Sequence, residues 1–248
     1  MNVRGLREAL TRLVTVAALL SIASAAKATP TIDISIESVG PYDNYSQVGV
    51  ATTEIGHTGT YGVSNTGYGS NFNCDWSIVV NPDPTITGTF TLNNISTATQ
   101  TFIITVSLNV SPGLSAPTKM GGFFSQITYT DLNSNGVTLA TVPPNPFYRA
   151  QIDGNPLTLY GGDLGLFSLT GGAGSTNTIS GMSFGDPIPS QAGPALNTIM
   201  TIRHQFSLTA GDQVQFNSMF QVEAPEPGSV LLIGLGLAGL VARKLSAR

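Results

Sequence analysis

The sequence predicts an all-β protein, an antiparallel β-sandwich of the immunoglobulin-like or jelly-roll-like kind. Ile32, Ile34 and Ile36 alternate with polar residues, which is the period of a half-buried strand. Comparable β-rich runs recur along residues 29–224, separated by turn-forming Asn, Pro and Gly residues. No stretch of this body has sustained helical periodicity. Many short strands with turn signals between them are typical of sandwiches.

The other predicted strands are runs rich in β-branched and aromatic residues. They cover Trp76–Val80, Thr85–Leu92, Thr101–Val110, Phe123–Thr130, Val137–Val142, Ile179–Phe184, Asn197–Leu208 and Gln213–Val222. Asn93-Asn94 predicts a turn that joins the second and third of these runs as a strand pair. Asn135-Gly136 predicts a hairpin turn between the runs that flank it.

The charge distribution excludes several classes of protein. Charged residues make up 10% of the chain, against about 25% in an ordinary soluble domain. Residues 29–224 contain three basic residues against 12 acidic ones, a net charge of −9, so they lack the basic patch of a nucleic-acid binder. High hydropathy and low charge also exclude disorder. Ser, Thr and Asn account for 61 of these 196 residues, which favours contact with neutral or hydrated polymers.

The first 28 residues have the pattern of a secretory signal peptide. Three arginines come first: Arg4, Arg7 and Arg12. An apolar run follows from Leu13 to Ile22, and Ala26-Lys27-Ala28 fits a cleavage site, with Ser24-Ala25-Ala26 as the competing one. We therefore expect a signal helix over residues 1–28, cleavage by signal peptidase, and export across the inner membrane.

The last 24 residues have three parts in a fixed order. Pro225-Glu226-Pro227 comes first, an uncharged apolar stretch follows over residues 228–242, and the tail is basic through Arg243, Lys244 and Arg248. As a helix the apolar stretch would span about 22 Å, short of the roughly 30 Å of a bilayer core. Basic residues after it place the tail in the cytoplasm and the body outside. The sequence thus predicts a short transmembrane helix.

This C-terminal segment resembles the PEP-CTERM sorting signal of Gram-negative bacteria. The resemblance covers only residues 225–248. It implies recognition by an exosortase, a membrane-embedded transpeptidase-like enzyme, and processing near Pro225-Glu226-Pro227. It also implies an inner-membrane-anchored intermediate, then delivery to the cell surface or matrix. Because carriers tend to occur with exopolysaccharide production, extracellular polysaccharide is an implied partner. An ordinary tail anchor is the alternative.

An aromatic-rich segment contains candidate glycan contacts, namely Tyr42, Asp43, Tyr45, Tyr68 and Trp76. Sugar sites often combine aromatic faces with Asp or Asn side chains that form hydrogen bonds. Strand and loop packing explains the same aromatics, because such side chains also anchor sandwich cores. Both interpretations remain open at the level of the sequence.

The segment Asp131–Gly136 has the D-x-N-x-N-G opening of a calcium loop. Oxygen ligands from Asp131, Asn133 and Asn135, with a glycine for the sharp turn, suit Ca²⁺. Position 12 of an EF-hand loop would be Val142 instead of a bidentate Glu, so the full motif fails. The hairpin turn is the favoured interpretation and Ca²⁺ the alternative; no other cofactor is expected.

Catalytic signals are weak. Gly181–Gly185 matches the G-x-S-x-G nucleophile elbow around Ser183, and Asp186 and His204 follow in the order of an α/β-hydrolase. The elbow needs a strand that leads into a helix, and Asp186-Pro187-Ile188-Pro189 excludes a regular helix there. His57 and the single Cys74 lack partners for a metal or nucleophile pattern.

These observations predict three regions and a non-enzymatic function. The regions are a signal peptide at 1–28, a β-sandwich ectodomain at 29–224 and a sorting signal at 225–248. The leading hypothesis is an exported structural or adhesive protein of the cell surface or the exopolysaccharide matrix, with only transient contact with the inner membrane. The alternatives are a carbohydrate-binding module, with or without calcium, and a secreted hydrolase.

Overall fold

A computed structural model describes residues 29–39, 43–56, 58–81, 84–156 and 167–224. Within these ranges the chain is all-β and forms two antiparallel sheets without a helix, which confirms the predicted fold class. None of these residues belongs to a helix that is long and apolar enough to cross a membrane. The expected signal helix over 1–28 and the short transmembrane helix over 225–248 lie outside the described residues.

The strands of the described ranges are numbered in chain order. They are β1 (Thr31–Val39), β2 (Asp43–Ala51), β3 (Thr53–Glu54), β4 (Tyr61–Tyr68), β5 (Phe72–Asn81), β6 (Thr85–Asn94), β7 (Gln100–Asn109), β8 (Thr118–Phe124), β9 (Ile127–Asp131), β10 (Val137–Ala140), β11 (Tyr148–Ile152), β12 (Asn155–Pro156), β13 (Ser168–Gly171), β14 (Thr176–Ile179), β15 (Met182–Phe184), β16 (Gln191–Gly193), β17 (Ile199–Leu208) and β18 (Asp212–Glu223).

The strands divide into two sheets. The first sheet has the order β12-β11-β17-β7-β1-β2, and β10 pairs with both β17 and β13. The second sheet has the order β14-β9-β18-β6-β5-β4-β3, and β8 pairs with β18, β15 and β16. The finer prediction of an immunoglobulin-like or jelly-roll-like strand order stays a prediction.

Alternation along the strands gives each sheet one apolar face. Ile32, Ile34 and Ile36 are buried in β1 as predicted, and every second residue of β6 is buried. Threonine occupies many outward positions, where its branched Cβ suits the pleat and its hydroxyl faces water. The two apolar faces pack together as in a β-sandwich: Phe72 of the second sheet meets Phe102 of the first with ring centroids 6.0 Å apart.

Several local predictions differ from the structure. The run Phe123–Thr130 contains the end of β8 and most of β9, and Ile179–Phe184 contains the end of β14 and all of β15. Asn93 and Asn94 belong to β6, and the chain turns only after them. Asn135-Gly136 does not close a hairpin, because β9 and β10 lie in different sheets; the same is true of β6 and β7.

The sandwich has two distinct ends. At one end, here called the proximal end, β1 begins at Thr31 and β18 finishes at Glu223. At the opposite end, here called the distal end, four loops each carry the chain from one sheet to the other. These loops are residues 95–99, 132–136, 172–175 and 209–211. Both ends of the described body therefore lie away from these four loops.

Candidate functional site

The distal end is held together by polar side chains that bond to backbone groups of neighbouring loops. Asn94 is fully buried, and its amide nitrogen lies 3.0 Å from the carbonyl oxygen of Ala98 and 2.9 Å from that of Leu208. The backbone N–H of Gly211 donates to the Asn94 carbonyl at 2.8 Å. Asn94 of the second sheet is thereby bonded to the end of β17 in the first.

Asp131 fixes two further loops through its carboxylate. Oδ1 accepts the backbone N–H groups of Asn133 and Ser134, at 3.0 and 2.9 Å. Oδ2 accepts those of Gly136 and Gly174, at 2.8 and 2.7 Å. Burial raises the pKa of Asp131, but these four hydrogen bonds stabilise the carboxylate and lower the pKa to about 2. Asp131 is therefore ionised at neutral pH and joins the 132–136 and 172–175 loops.

The predicted calcium ligands have other partners in this arrangement. The Asp131 oxygens already face four N–H donors, and the Asn133 amide donates to Ala210 O at 2.6 Å while its Oδ1 accepts the N–H of Asn135 at 3.1 Å. The described residues contain no cluster of three or more His, Cys, Asp or Glu side chains that is able to hold a metal ion. This donor set does not favour Ca²⁺ at Asp131, Asn133 and Asn135, and calcium binding stays a prediction.

Asp212 lies behind the same loops. It is fully buried and is the cross-strand neighbour of Asp131. The Thr209 hydroxyl donates to Asp212 Oδ2 and accepts the backbone N–H of Thr138 at 2.7 Å. Burial raises the pKa of Asp212, the Thr209 hydrogen bond opposes this, and the nearby Asp131 charge adds to the rise. Asp212 and Thr209 thus attach the 209–211 loop to β10.

Three of these loops (95–99, 132–136 and 209–211) border an open cleft of about 520 Å³ together with β10 and β13. This volume lies within the roughly 300–1,000 Å³ range of small-ligand sites. All the side chains that line it are uncharged, and six of them are polar: Thr97, Thr99, Asn135, Thr138, Thr170 and Thr209. Hydroxyl and amide groups both donate and accept hydrogen bonds. The Thr209 hydroxyl is already bonded to Asp212 and Thr138, and the other five polar side chains suit the cleft to a neutral ligand that is rich in hydroxyl groups.

The predicted aromatic contacts do not form one exposed site. Tyr42 lies outside the described residues. Trp76 is only 2% exposed and is a core residue with no ring face open to a glycan. The Tyr45 hydroxyl and the Trp76 indole nitrogen are both buried without a hydrogen bond of ordinary geometry, and burial raises the pKa of Tyr45. Asp43 accepts the N–H of Asn71 at 2.6 Å, and Tyr68 is 71% exposed. Glycan contact by these residues stays a prediction.

The residues of the nucleophile-elbow pattern are not brought together. Ser183 is exposed on the short strand β15, and turns lead from it to β16 instead of a helix. His204 is fully buried between the sheets, where its Nε2 lies 2.8 Å from the Ser218 hydroxyl. Burial lowers the pKa of His204 to about 3, so its ring is neutral at pH 7. Cys74 is buried, and burial raises its pKa; His57 lies outside the described residues.

Comparison with known families identifies the C-terminal segment as a known sorting motif. The model of the PEP-CTERM protein-sorting motif matches residues 223–245. The chain carries a PEP-CTERM sorting motif. The match begins at Glu223, the last residue of β18, and it confirms the resemblance of the C-terminal segment. No curated protein matches the chain.

The PEP-CTERM motif indicates how the protein is sorted and processed. It marks an exported protein that an exosortase processes, with a membrane-anchored stage before release to the cell surface. The residues singled out for sorting, Pro225, Glu226, Pro227, Arg243, Lys244 and Arg248, lie outside the described residues. The boundaries of the three regions, at residues 28 and 224, stay predictions.

Sequence reasoning missed the distal cleft. Its polar residues come from three loops and two strands, and the sequence does not distinguish those threonines from the other threonines of the body. One signal was available nearby, the Asp131–Gly136 pattern. Only the fold shows that Asp131 also bonds to Gly174 and so joins this loop to the 172–175 loop.

Proposed function

We propose that this PEP-CTERM carrier is a non-enzymatic structural or adhesive protein of the cell surface or the exopolysaccharide matrix. The observation that carries the proposal is the sorting motif, which begins at the last residue of the sandwich. Signal peptidase and exosortase are the proposed processing partners, and an extracellular polysaccharide is the proposed matrix partner. Contact with the inner membrane is limited to the anchored stage.

The chemistry of the body supports a role outside the cell. Its net charge of −9 with three basic residues disfavours binding to nucleic acid. Its surface is rich in Ser, Thr and Asn, which interact with a hydrated polymer without the need for charge pairs. Ser183 and His204, the residues of the best catalytic pattern, lie apart, on the surface and in the core. This separation supports the proposal that the protein is not an enzyme.

Mass spectrometry of protein recovered from the culture matrix and from the cell envelope tests delivery and processing. We expect matrix protein that has lost the residues after about Pro225. A variant with Pro225, Glu226 and Pro227 all changed to Ala is expected to keep the C-terminal segment through Arg248 and to stay in the envelope. A Glu37→Ala variant, altered at an exposed acidic residue of the body, is the matched control and should behave as wild type. Matrix protein that ends in Arg248 would overturn the proposal.

A carbohydrate-binding module is the second candidate, and the distal cleft is the observation that favours it. The cleft combines ligand-site volume with uncharged, hydroxyl-bearing walls. It differs from the aromatic site expected around Tyr45 and Trp76, which packs into the sandwich. In this proposal calcium is not required, because the loops are already joined by Asp131.

A further inference from the structure

We propose that the distal cleft binds a short stretch of neutral polysaccharide. This inference rests on the proposed role outside the cell and names the site and the chemical class of its ligand. Three of the distal loops (95–99, 132–136 and 209–211) build the site together with β10 and β13, and hydrogen bonds of Asn94 and Asp131 hold these loops in place before any ligand arrives. Preorganised loops reduce the entropy cost of binding.

The walls of the cleft match the chemistry of sugar hydroxyls. Thr97 and Thr99 lie on one side, Thr138 and Thr170 are neighbours on the paired strands β10 and β13, and Asn135 lies in the adjoining loop. Hydroxyl and amide groups donate and accept at the same site, as sugar hydroxyls do. A carboxylate or phosphate ligand would meet no cationic side chain among the residues that line the cleft.

Charge further restricts the ligand to a neutral polymer. The body has a net charge of −9 and only three basic residues, Lys119, Arg149 and Arg203. Lys119 is the cross-strand neighbour of Glu223 at the proximal end, and Arg149 and Arg203 are cross-strand neighbours on β11 and β17. The field of the body therefore repels polyanions from the distal end.

Exposed apolar side chains surround the same end. Seven large apolar side chains are exposed among the described residues, and four of them lie at or beside the distal loops: Val39, Tyr68, Ile95 and Leu132. Apolar surface concentrated in one region is typical of interaction sites. The C–H faces of sugar rings are apolar, so a chain that leaves the cleft buries them against such side chains.

Affinity electrophoresis of the exported protein, recovered from the envelope and from the matrix, tests this proposal. Native gels contain dextran or galactomannan as neutral probes, or alginate as a polyanion. We expect retardation by at least one neutral probe and none by alginate. Ala98→Trp, at an exposed residue that lines the cleft, is expected to abolish retardation. Thr170→Ala should weaken binding about three- to tenfold, the effect of one lost hydrogen bond.

Thr178→Ala is the matched control, since Thr178 is an exposed strand threonine outside the cleft. It should bind as wild type, and unchanged thermal unfolding of each variant verifies the fold. The proposal is overturned if no neutral probe retards the protein, if alginate retards it more strongly, or if Ala98→Trp binds normally. Processing of the C-terminus is measured separately, so delivered protein that fails to bind contradicts this inference and leaves the delivery proposal standing.

Discussion

The centre of the sandwich and its distal end are stabilised by different interactions. In the centre, Phe147 packs against Phe216 and Phe206 with ring centroids 4.9 and 5.6 Å apart. At the distal end, Asn94 and Asp131 bond to backbone groups across loops. Apolar burial is non-directional and supplies most of the stability, whereas hydrogen bonds have narrow geometry and fix shape. The comparison predicts that most of the stability depends on the aromatic core and the proposed ligand binding on the distal loops.

The largest expected effect is on the centre. Phe147→Ala removes a fully buried ring that contacts both sheets, and we expect a loss of about 3–5 kcal/mol in the free energy of unfolding. Urea unfolding monitored by circular dichroism measures it. Ile55→Ala, at a side chain that is 48% exposed, is the control and should change stability by less than about 0.5 kcal/mol. Equal losses in the two variants would remove the distinction between core and surface on which the comparison depends.

The second prediction concerns the loss of folding stability at acidic pH. The pKa of buried His204 is about 3, below its ordinary value of 6.5, so the unfolded chain binds more protons between these pH values. Stability from this group is present above pH 6.5 and decreases as the pH falls, by about 3 kcal/mol between pH 7.5 and 4. Urea titrations at each pH measure the slope. Asp131, with a pKa of about 2, contributes mainly below this window.

A double variant tests how much of the acid-dependent loss of stability comes from His204. His204→Leu together with Ser218→Ala removes the titrating ring and the hydroxyl bonded to it, so the Ser218 hydroxyl is not left buried without its partner. The acid-dependent loss between pH 6.5 and 4 should then become small. A slope that remains at its wild-type value would assign the acid sensitivity to other groups.

The smallest expected effect on stability is at the loops, and it distinguishes the two ends. Asp131→Ala should lower the melting temperature by a few degrees and also abolish retardation by the neutral probe, because the 132–136 loop, which contributes Asn135 and Gly136 to the cleft, loses its anchor. Asp153 at the proximal end similarly accepts the N–H groups of Asn197, Thr198 and Ile199. Asp153→Ala is therefore the matched control. It should lower the melting temperature comparably and leave binding unchanged.

If the two carboxylate variants lost binding equally, the loss would reflect general destabilisation. If neither lost binding, the Asp131 loops would not form the site. Native-gel retardation and thermal unfolding of the same samples distinguish these results from the expected one.

The fold class was accessible from the sequence because alternation is a local property. Ile32, Ile34 and Ile36 predicted β1 correctly, and the same alternation from Phe72 to Val80 places Trp76 on the buried face of β5. That parity was available in the sequence, and it favours the core interpretation of Trp76 over the glycan interpretation. The glycan prediction at Trp76 was based on the aromatic content of the segment and did not take the alternation along β5 into account.

Strand partners and the cleft were not accessible, because both depend on contacts between distant parts of the chain. Asn135-Gly136 is a strong local turn signal, yet the turn joins two sheets instead of two neighbours in one sheet. Asp131 bonds to Gly174, 43 residues away. One sequence without the fold gives no indication that these groups meet.

The length of β18 sets the reach of the protein during its membrane-anchored stage. This strand runs for 12 residues from the distal loops to the start of the sorting motif. At about 3.3 Å per residue it spans roughly 40 Å. The Debye length in physiological salt is about 8 Å. The distal loops thus stand several screening lengths from the start of the sorting motif, so the charge of anionic lipids near that motif would have little effect on ligands at the proposed cleft.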